Sequence, residues 1–156
     1  MATHVWVNPE RFQEVGRKVT VDGVDLYVQL SPFDAPTGVQ GRYDRKSRTF
    51  EIRFEYMNSE SEGQVRIHDG IQLIEGRHSG KLLAIRIPVD SRPLDSVGLI
   101  RLRTEVVQAL KKHSQQLDPT ADVSRPYGRF LNWEAARELL DDESDFKQVA
   151  GELMAS

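Results

Sequence analysis

The sequence predicts an α+β fold, in which an antiparallel β-meander of six or seven strands is packed on one face by C-terminal helices. Two observations predict this fold. Polar and apolar residues alternate through residues 43–89, with turn residues between the runs, whereas beyond Pro93 the apolar residues recur at helical spacing. We therefore expect a single domain over residues 1–156, with the sheet in 1–90 and the helical part in 91–156.

The alternation is clearest in the segment that contains Phe50, Ile52 and Phe54, which are separated by Glu51 and Arg53. Successive side chains of a β-strand point to opposite faces of the sheet, so a period of two sorts these residues by face. The pattern predicts a strand with its aromatic and aliphatic side chains in the core and its charged side chains on a solvated face.

The strands that precede this segment are indicated by local signals. The apolar run Val5–Val7 predicts an edge strand. Asn8 as N-cap and Pro9 at the first helical position predict a brief helix after it. Asp22-Gly23 lies between two alternating runs and predicts a hairpin, because both turn positions tolerate positive φ.

The remaining strands follow from further turn signals. Residues 39–43 and 49–56 are predicted to form a second hairpin, and the polar stretch 57–63 is predicted to be a loop. His68-Asp69-Gly70 and residues 78–80 are predicted turns that separate the last strands. Because connections are short, we expect sequential strands to pair.

Helical segments make up the C-terminal part. An apolar stripe predicts a helix over 96–116, capped by Asp95 or Ser96, which packs on the sheet. Beyond a linker at 117–131, Asn132 is predicted to cap a second helix, and Ser144 is predicted to cap a last turn. The stripe of the first helix comprises Leu99, Leu102, Val106, Leu110 and His113.

The order of residues in 43–88 carries a family resemblance. Tyr43-Asp44 is followed by the alternating strand, then by Asp69-Gly70-Ile71, and finally by Gly80-Lys81-Leu82 before an apolar strand. This order resembles a small bacterial family known only as a domain of unknown function (number twenty-two eighty-three). The resemblance implies a bacterial protein that contains a β-meander, and it implies no activity, because none is attached to the family.

Composition excludes several classes of site and partner. The chain contains no cysteine, which excludes disulfides, thiolate catalysis and cysteine-based metal sites. No apolar run approaches the roughly 20 residues needed to cross a bilayer, and the first residues lack the layout of a secretory signal. We therefore expect no membrane association and a cytoplasmic location. The net charge of −3 argues against nucleic acid as a general partner.

No catalytic, cofactor-binding or metal-binding pattern is present in the sequence. Residues 76–81, GRHSGK, precede a predicted strand, whereas a phosphate loop needs the start of a helix. The acidic run at 141–145 lacks the glycine and the spacing of a calcium loop. His68 and His78 lie at opposite ends of a strand that spans roughly 20 Å, too far apart to share a site. We expect no cofactor and assign no catalytic residue.

The segment SRPYGRFLNW, residues 124–133, is the candidate partner-binding site. Arginine combined with aromatic residues is typical of protein-binding hot spots and of surfaces that stack nucleic-acid bases. The alternative is that the aromatic residues anchor a loop and a helix to the core. With two basic residues of the first helix, the candidates are Arg125, Tyr127, Arg129, Phe130, Trp133, Arg101 and Arg103.

Three functions remain open at this point. A non-catalytic protein-interaction module, or a module that self-associates, is favoured because a meander exposes strand edges to which a partner strand can add. The second is a small-ligand binder or enzyme with a pocket between sheet and helices, lined by residues such as Arg125, Tyr127, Arg129, His113 or His68. The third is a weak nucleic-acid binder through the basic segment 92–129.

Overall fold

A computed structural model describes residues 3–89, 95–124, 128–151 and 153 of the chain. It has an antiparallel six-stranded sheet and three helices that follow it in the sequence, which confirms the predicted α+β class. The strands are β1 (Thr3–Trp6), β2 (Gly16–Val21), β3 (Val24–Gln29), β4 (Gly38–Asp44), β5 (Thr49–Glu55), β6 (Glu62–His68), β7 (Ile71–Gly76) and β8 (Leu82–Pro88). The helices are α1 (Ser96–Ser114), α2 (Arg129–Asp141) and α3 (Glu143–Val149).

The main sheet has the strand order β1-β4-β5-β8-β7-β6, and every neighbouring pair is antiparallel. Sequential strands pair as expected in β4–β5, β6–β7 and β7–β8, but β5 pairs with β8 instead of β6. The physical reason is that β8 contains more apolar residues than β6. Leu82–Ile85 of β8 are buried, so this strand belongs in the centre, whereas β6 is largely exposed and forms an edge.

The hairpin predicted at Asp22-Gly23 is present and stands apart from the main sheet. Strands β2 and β3 pair with each other alone, and the two turn residues have φ of 53° and 79°. The same conformation recurs at Asp69-Gly70, with φ of 50° and 84°, which confirms that predicted turn. Both sites use the pair of positive φ angles that a type I′ hairpin turn requires.

One face of the main sheet packs against the helices. Phe50 and Ile52 of β5 lie opposite Ile87 and Ile85 of β8, and all four side chains are fully buried. Since opposed residues of antiparallel strands share a face, the alternating pattern of β5 and β8 defines a helix-facing side and an open side. The buried stripe predicted for α1 lies on the helix-facing side and comprises Leu99, Leu102, Val106, Leu110 and His113.

Helix α1 begins as predicted, with the Asp95 side chain accepting a hydrogen bond of 2.8 Å from the Gly98 amide. Helix α2 begins differently, because its N-cap is Gly128, which has no side chain to accept a bond. Two buried carboxylates supply the missing acceptors. Asp34 accepts from the Gly128 amide at 2.7 Å, and Asp122 accepts from the amides of the second and third helical residues at 3.3 and 3.2 Å.

The prediction that Asn132 caps α2 is wrong. Asn132 lies in the first turn of the helix and is fully buried, with its side-chain oxygen accepting from the Leu82 amide at 2.8 Å. Its amide nitrogen donates to the Asp34 carbonyl and to the Tyr56 hydroxyl. The residue type suits both roles, because a side-chain amide caps helices and also satisfies buried backbone groups. Asp142 caps α3 in place of Ser144.

Candidate functional site

The candidate residues of segment 124–133 are divided between the surface and the core. Arg125 and Tyr127 lie outside the described residues. Phe130 is buried, and Trp133 is fully buried with its indole nitrogen donating to the Gly80 carbonyl at 3.0 Å. Phe130 and Trp133 therefore take the packing role that was the alternative to partner contact, since Phe130 keeps 5% of its accessible surface and Trp133 keeps none.

The two candidate arginines of α1 have different surroundings. Arg101 is exposed on the helix surface. Arg103 donates to the backbone carbonyl of Asp141 and contacts its carboxylate at 3.3 Å, so it joins α1 to the end of α2. Both arginines belong to α1, whereas Arg129 is the first residue of α2.

Arg129 takes part in a charged cluster that we call the Glu75 centre, formed by Glu75, Arg66, Arg129 and His113. Oxygen Oε1 of Glu75 accepts from Arg66 Nε at 2.8 Å and from Arg129 Nη2, and it lies 3.2 Å from His113 Nε2. The carboxylate is 5% exposed. Three segments that are distant in the sequence thus meet on one oxygen atom: the β6–β7 hairpin, helix α1 and helix α2.

The sheet register explains why a glutamate occupies this position. Residues 71, 73 and 75 of β7 face the helices by alternation, and Arg66 of β6 lies opposite Leu73 on the same face. The register of β7 against β8 shifts by one residue after Ile74, so that Glu75 lies opposite Leu82. The helix α2 then brings Arg129, its first residue, over the end of β7.

The environment of Glu75 fixes its ionisation. Burial raises the pKa of this carboxyl, but the hydrogen bonds from His113, Arg66 and Arg129 outweigh burial and lower the pKa to about 2. Glu75 is therefore ionised throughout the physiological range. A carboxylate with so low a pKa is a weak proton acceptor, so it is suited to holding cations in position and not to general-base catalysis.

A shallow cavity of about 300 Å³ opens beside the Glu75 centre. Its lining contains three arginines and one carboxylate, with backbone from β6 and from the turn that follows β7. A second cavity of about 200 Å³ lies on the His113 side, between β6 and the end of α1. The first cavity is lined by Gly63, Gln64, Arg66, Glu75, Gly76, Arg77, His78, Ser79, Gly80 and Arg129.

The turn between β7 and β8 already holds one carboxylate of the chain itself. Glu60 accepts from the backbone amides of His78 and Ser79 at 2.9 and 3.0 Å and from the Ser79 hydroxyl at 2.6 Å. Burial raises the pKa of Glu60, and these hydrogen bonds lower it by more, so the net shift is downward. The GRHSGK turn therefore binds the 57–61 loop and has its amides occupied.

The open face of the sheet carries a second ionic network. Glu51 accepts from Arg53 Nε at 3.0 Å and from Arg86 Nε at 2.8 Å, and Glu62 accepts from the same two arginines at 2.7 and 3.0 Å. Two carboxylates and two guanidinium groups thus neutralise one another. This arrangement confirms the expectation that Glu51 and Arg53 lie on the face away from the helices.

Beside this network, strand β6 forms an edge of the main sheet, with a register shift between Glu62 and Val65. It pairs only with β7, so the backbone groups on its other side have no strand partner within the described sheet. Ile67 and Val65 are 70% and 45% exposed on the open face. Large apolar side chains on a long edge strand favour association with another strand.

Sequence reasoning missed both Glu75 and Arg66. The signal for Glu75 was present, because a glutamate follows Ile71 and Leu73 at the spacing that faces the core. A charged residue at such a position requires a partner. Its partners could not be predicted from the sequence, since Arg66, His113 and Arg129 reach Glu75 only through the tertiary fold. Among the described residues, no group of three or more histidine, aspartate or glutamate side chains is arranged to hold a metal ion.

Comparison with protein-family models, with curated proteins and with solved structures finds no match in any of the three. The resemblance of residues 43–88 to the domain-of-unknown-function family therefore stays a prediction. No helix in the part of the chain that the structure describes is long and apolar enough to cross a membrane.

Proposed function

We propose that this protein is a non-catalytic interaction module that self-associates through strand β6. Two copies would pair their β6 strands in antiparallel orientation and join two six-stranded sheets into one. A bacterial, cytoplasmic setting is part of the proposal, supported by the resemblance of residues 43–88 and by the absence of cysteine.

The observation that carries the proposal is the exposed apolar edge of β6. Ile67 exposes 70% of its surface in a strand of seven residues whose outer backbone groups have no strand partner among the described residues. The other edge strand, β1, has only four residues and offers fewer main-chain hydrogen bonds. The longer edge is thus the stronger template for strand addition.

Side-chain chemistry selects a register for the pair. When the two-fold axis passes through Val65, this residue lies opposite its own copy and Ile67 occupies the diagonal position across the interface. Gln64 then lies opposite Arg66, which sets an acceptor against a donor. The register centred on Arg66 places two arginines opposite each other, which is unfavourable.

The test is the concentration dependence of the molar mass, measured by sedimentation equilibrium. The wild type is expected to approach twice the mass of one chain as concentration rises. Ile67→Lys places a charge in the interface and is expected to weaken the dimer by about tenfold or more. Val97→Lys is the matched control, because Val97 is also an exposed β-branched residue, 58% accessible, but lies on α1.

Two outcomes would overturn the proposal: a wild type with the mass of one chain at every concentration, or equal weakening by both substitutions. Amide hydrogen exchange gives a second measurement. Outward-facing amides of β6 should become protected at high protein concentration, while those of β1 should not change.

A further inference from the structure

The cavity beside the Glu75 centre has a surplus of positive charge. Arg66, Arg77 and Arg129 line it, and Glu75 is the only carboxylate among the described residues of its lining. Arg77 is exposed, and among the described residues no carboxylate forms an ion pair with it. The open-face network differs, because its two arginines meet two glutamates. The described residues of the lining therefore carry a formal charge of +2, from three guanidinium groups and one carboxylate.

The arginines of the cavity keep hydrogen-bond donors that Glu75 does not use. A guanidinium group has five N–H donors. Glu75 accepts from Nε of Arg66 and from one terminal nitrogen of Arg129, whose Nε is buried, so the donors that can reach a ligand are on the terminal nitrogens. Arg66 makes one further contact, of 3.4 Å, to the Gln64 side chain. Several donors of the three guanidinium groups thus remain available for a bound anion.

The geometry of the cavity is held by the fold before any ligand arrives. Glu75 fixes Arg66 and Arg129 relative to each other through a single oxygen atom. The backbone of β6 packs directly on the turn, since a Cβ atom at Gly63 would lie 2.6 Å from Arg77 Cα. Pre-positioned cations bind an anion without the cost of ordering flexible side chains, which makes a small site effective.

We propose that this cavity binds a small phosphate-bearing ligand, with Arg66, Arg77 and Arg129 as its anion contacts and Glu75 as the residue that positions two of them. Guanidinium groups match phosphate oxygens in bidentate geometry. The volume of about 300 Å³ is at the small end for ligand pockets and accommodates a phosphate monoester with a small organic group.

A single phosphate group fits the charge distribution better than a polyanion does. Glu60 of the 57–61 loop is bound by the adjacent turn, so negative charge borders the arginines. A continuous nucleic-acid backbone would meet this carboxylate, and the chain as a whole carries a net charge of −3. The site and the proposed dimer both include Gln64 and Arg66 of β6, whereas Ile67 belongs to the dimer alone, because it points to the open face and the cavity lies on the helix-facing side.

The test is a titration of the ¹⁵N-labelled protein with inorganic phosphate and with glycerol 3-phosphate, followed by NMR. Saturable shifts are expected at the amides of Arg77, Gly80 and Arg129. Arg77→Gln should weaken the binding of both probes by about tenfold, since it removes one charge-assisted contact. Arg45→Gln is the matched control, because Arg45 is an exposed arginine in the β4–β5 turn and its loss changes the net charge equally.

Three results would overturn the proposal. The first is the absence of saturable shifts with either probe. The second is equal weakening by Arg77→Gln and Arg45→Gln, which would indicate a diffuse effect of net charge. The third is binding of a single-stranded oligonucleotide at these residues without binding of the two small probes. Repeating the titration with Ile67→Lys separates this site from self-association, and at protein concentrations where both proteins are monomeric its affinity for phosphate is expected to equal that of the wild type.

Discussion

The two faces of the main sheet use the same kinds of polar side chain in different ways. On the open face, Glu51 and Glu62 pair with Arg53 and Arg86 in a two-to-two network whose members keep contact with water. On the helix-facing side, Glu75 is nearly inaccessible and is shared by two arginines and a histidine.

The difference shows how burial decides what a polar group contributes. Exposed ion pairs contribute little free energy to folding, because water screens the attraction and solvates the separated charges as well as the pair. A buried polar group without its partner loses hydration and gains nothing in return, so the helix-facing contacts are needed by the fold. The two networks also differ in net charge. The open-face network is neutral, whereas the Glu75 centre has more arginines than carboxylates.

The largest effect is expected for Asn132→Ala on the helix-facing side. This change leaves the Leu82 amide and the Asp34 carbonyl without the partners that Asn132 supplies, in a place that water does not reach. We expect a loss of about 3–4 kcal/mol in the free energy of unfolding, measured by urea denaturation. Gln108→Ala, on the exposed side of α1, is the control and should change stability by less than about 0.5 kcal/mol. A loss below about 1 kcal/mol for Asn132→Ala would contradict the role assigned to these hydrogen bonds.

A somewhat smaller effect is expected from acid. The pKa of Glu75 is lowered from an ordinary 4.5 to about 2, so its ionic contacts stabilise the protein fully above the unfolded-state value. As the pH falls from about 4.5 through about 2, this contribution of about 3 kcal/mol is lost. The measurement is the difference in unfolding free energy between the wild type and Glu75→Gln as a function of pH. This difference should shrink toward acid pH, and a difference that is constant across the window would argue against the assignment.

The smallest effect is expected on the open face. Glu62→Gln removes a carboxylate that is 39% exposed, and we expect a loss of less than about 1 kcal/mol that disappears in high salt. Chemical denaturation at low and high ionic strength measures it. A loss as large as that caused by Asn132→Ala would mean that the two faces do not differ in the way proposed.

Features fixed by neighbouring residues could be predicted from the sequence. The turns at Asp22-Gly23 and Asp69-Gly70 follow from two adjacent residues that accept positive φ, and the Asp95 cap follows from its position before an apolar stripe. The period of two in β5 correctly separated Phe50 and Ile52 from Glu51. In each case the physical cause lies within a few residues of the signal.

Features that depend on distant residues could not be predicted in this way. The pairing of β5 with β8 reflects which strands bury the most apolar surface, a comparison among all strands at once. Asn132 resembles a cap in its local sequence, and only the approach of Leu82 and Asp34 shows its buried role. The Glu75 centre likewise requires residues from β6, α1 and α2 to meet.

The start of helix α2 has a consequence for the order in which the chain folds. Its first amide is satisfied by Asp34, which lies 94 residues earlier in the sequence. A loop of that length must close before this bond forms, and closing it costs chain entropy that local contacts do not repay. Helix α1 carries its own cap and can form early, whereas the first turn of α2 is completed only when the loop that contains Asp34 has met Gly128. The first turn of α2 therefore forms cooperatively with the N-terminal loop that contains Asp34.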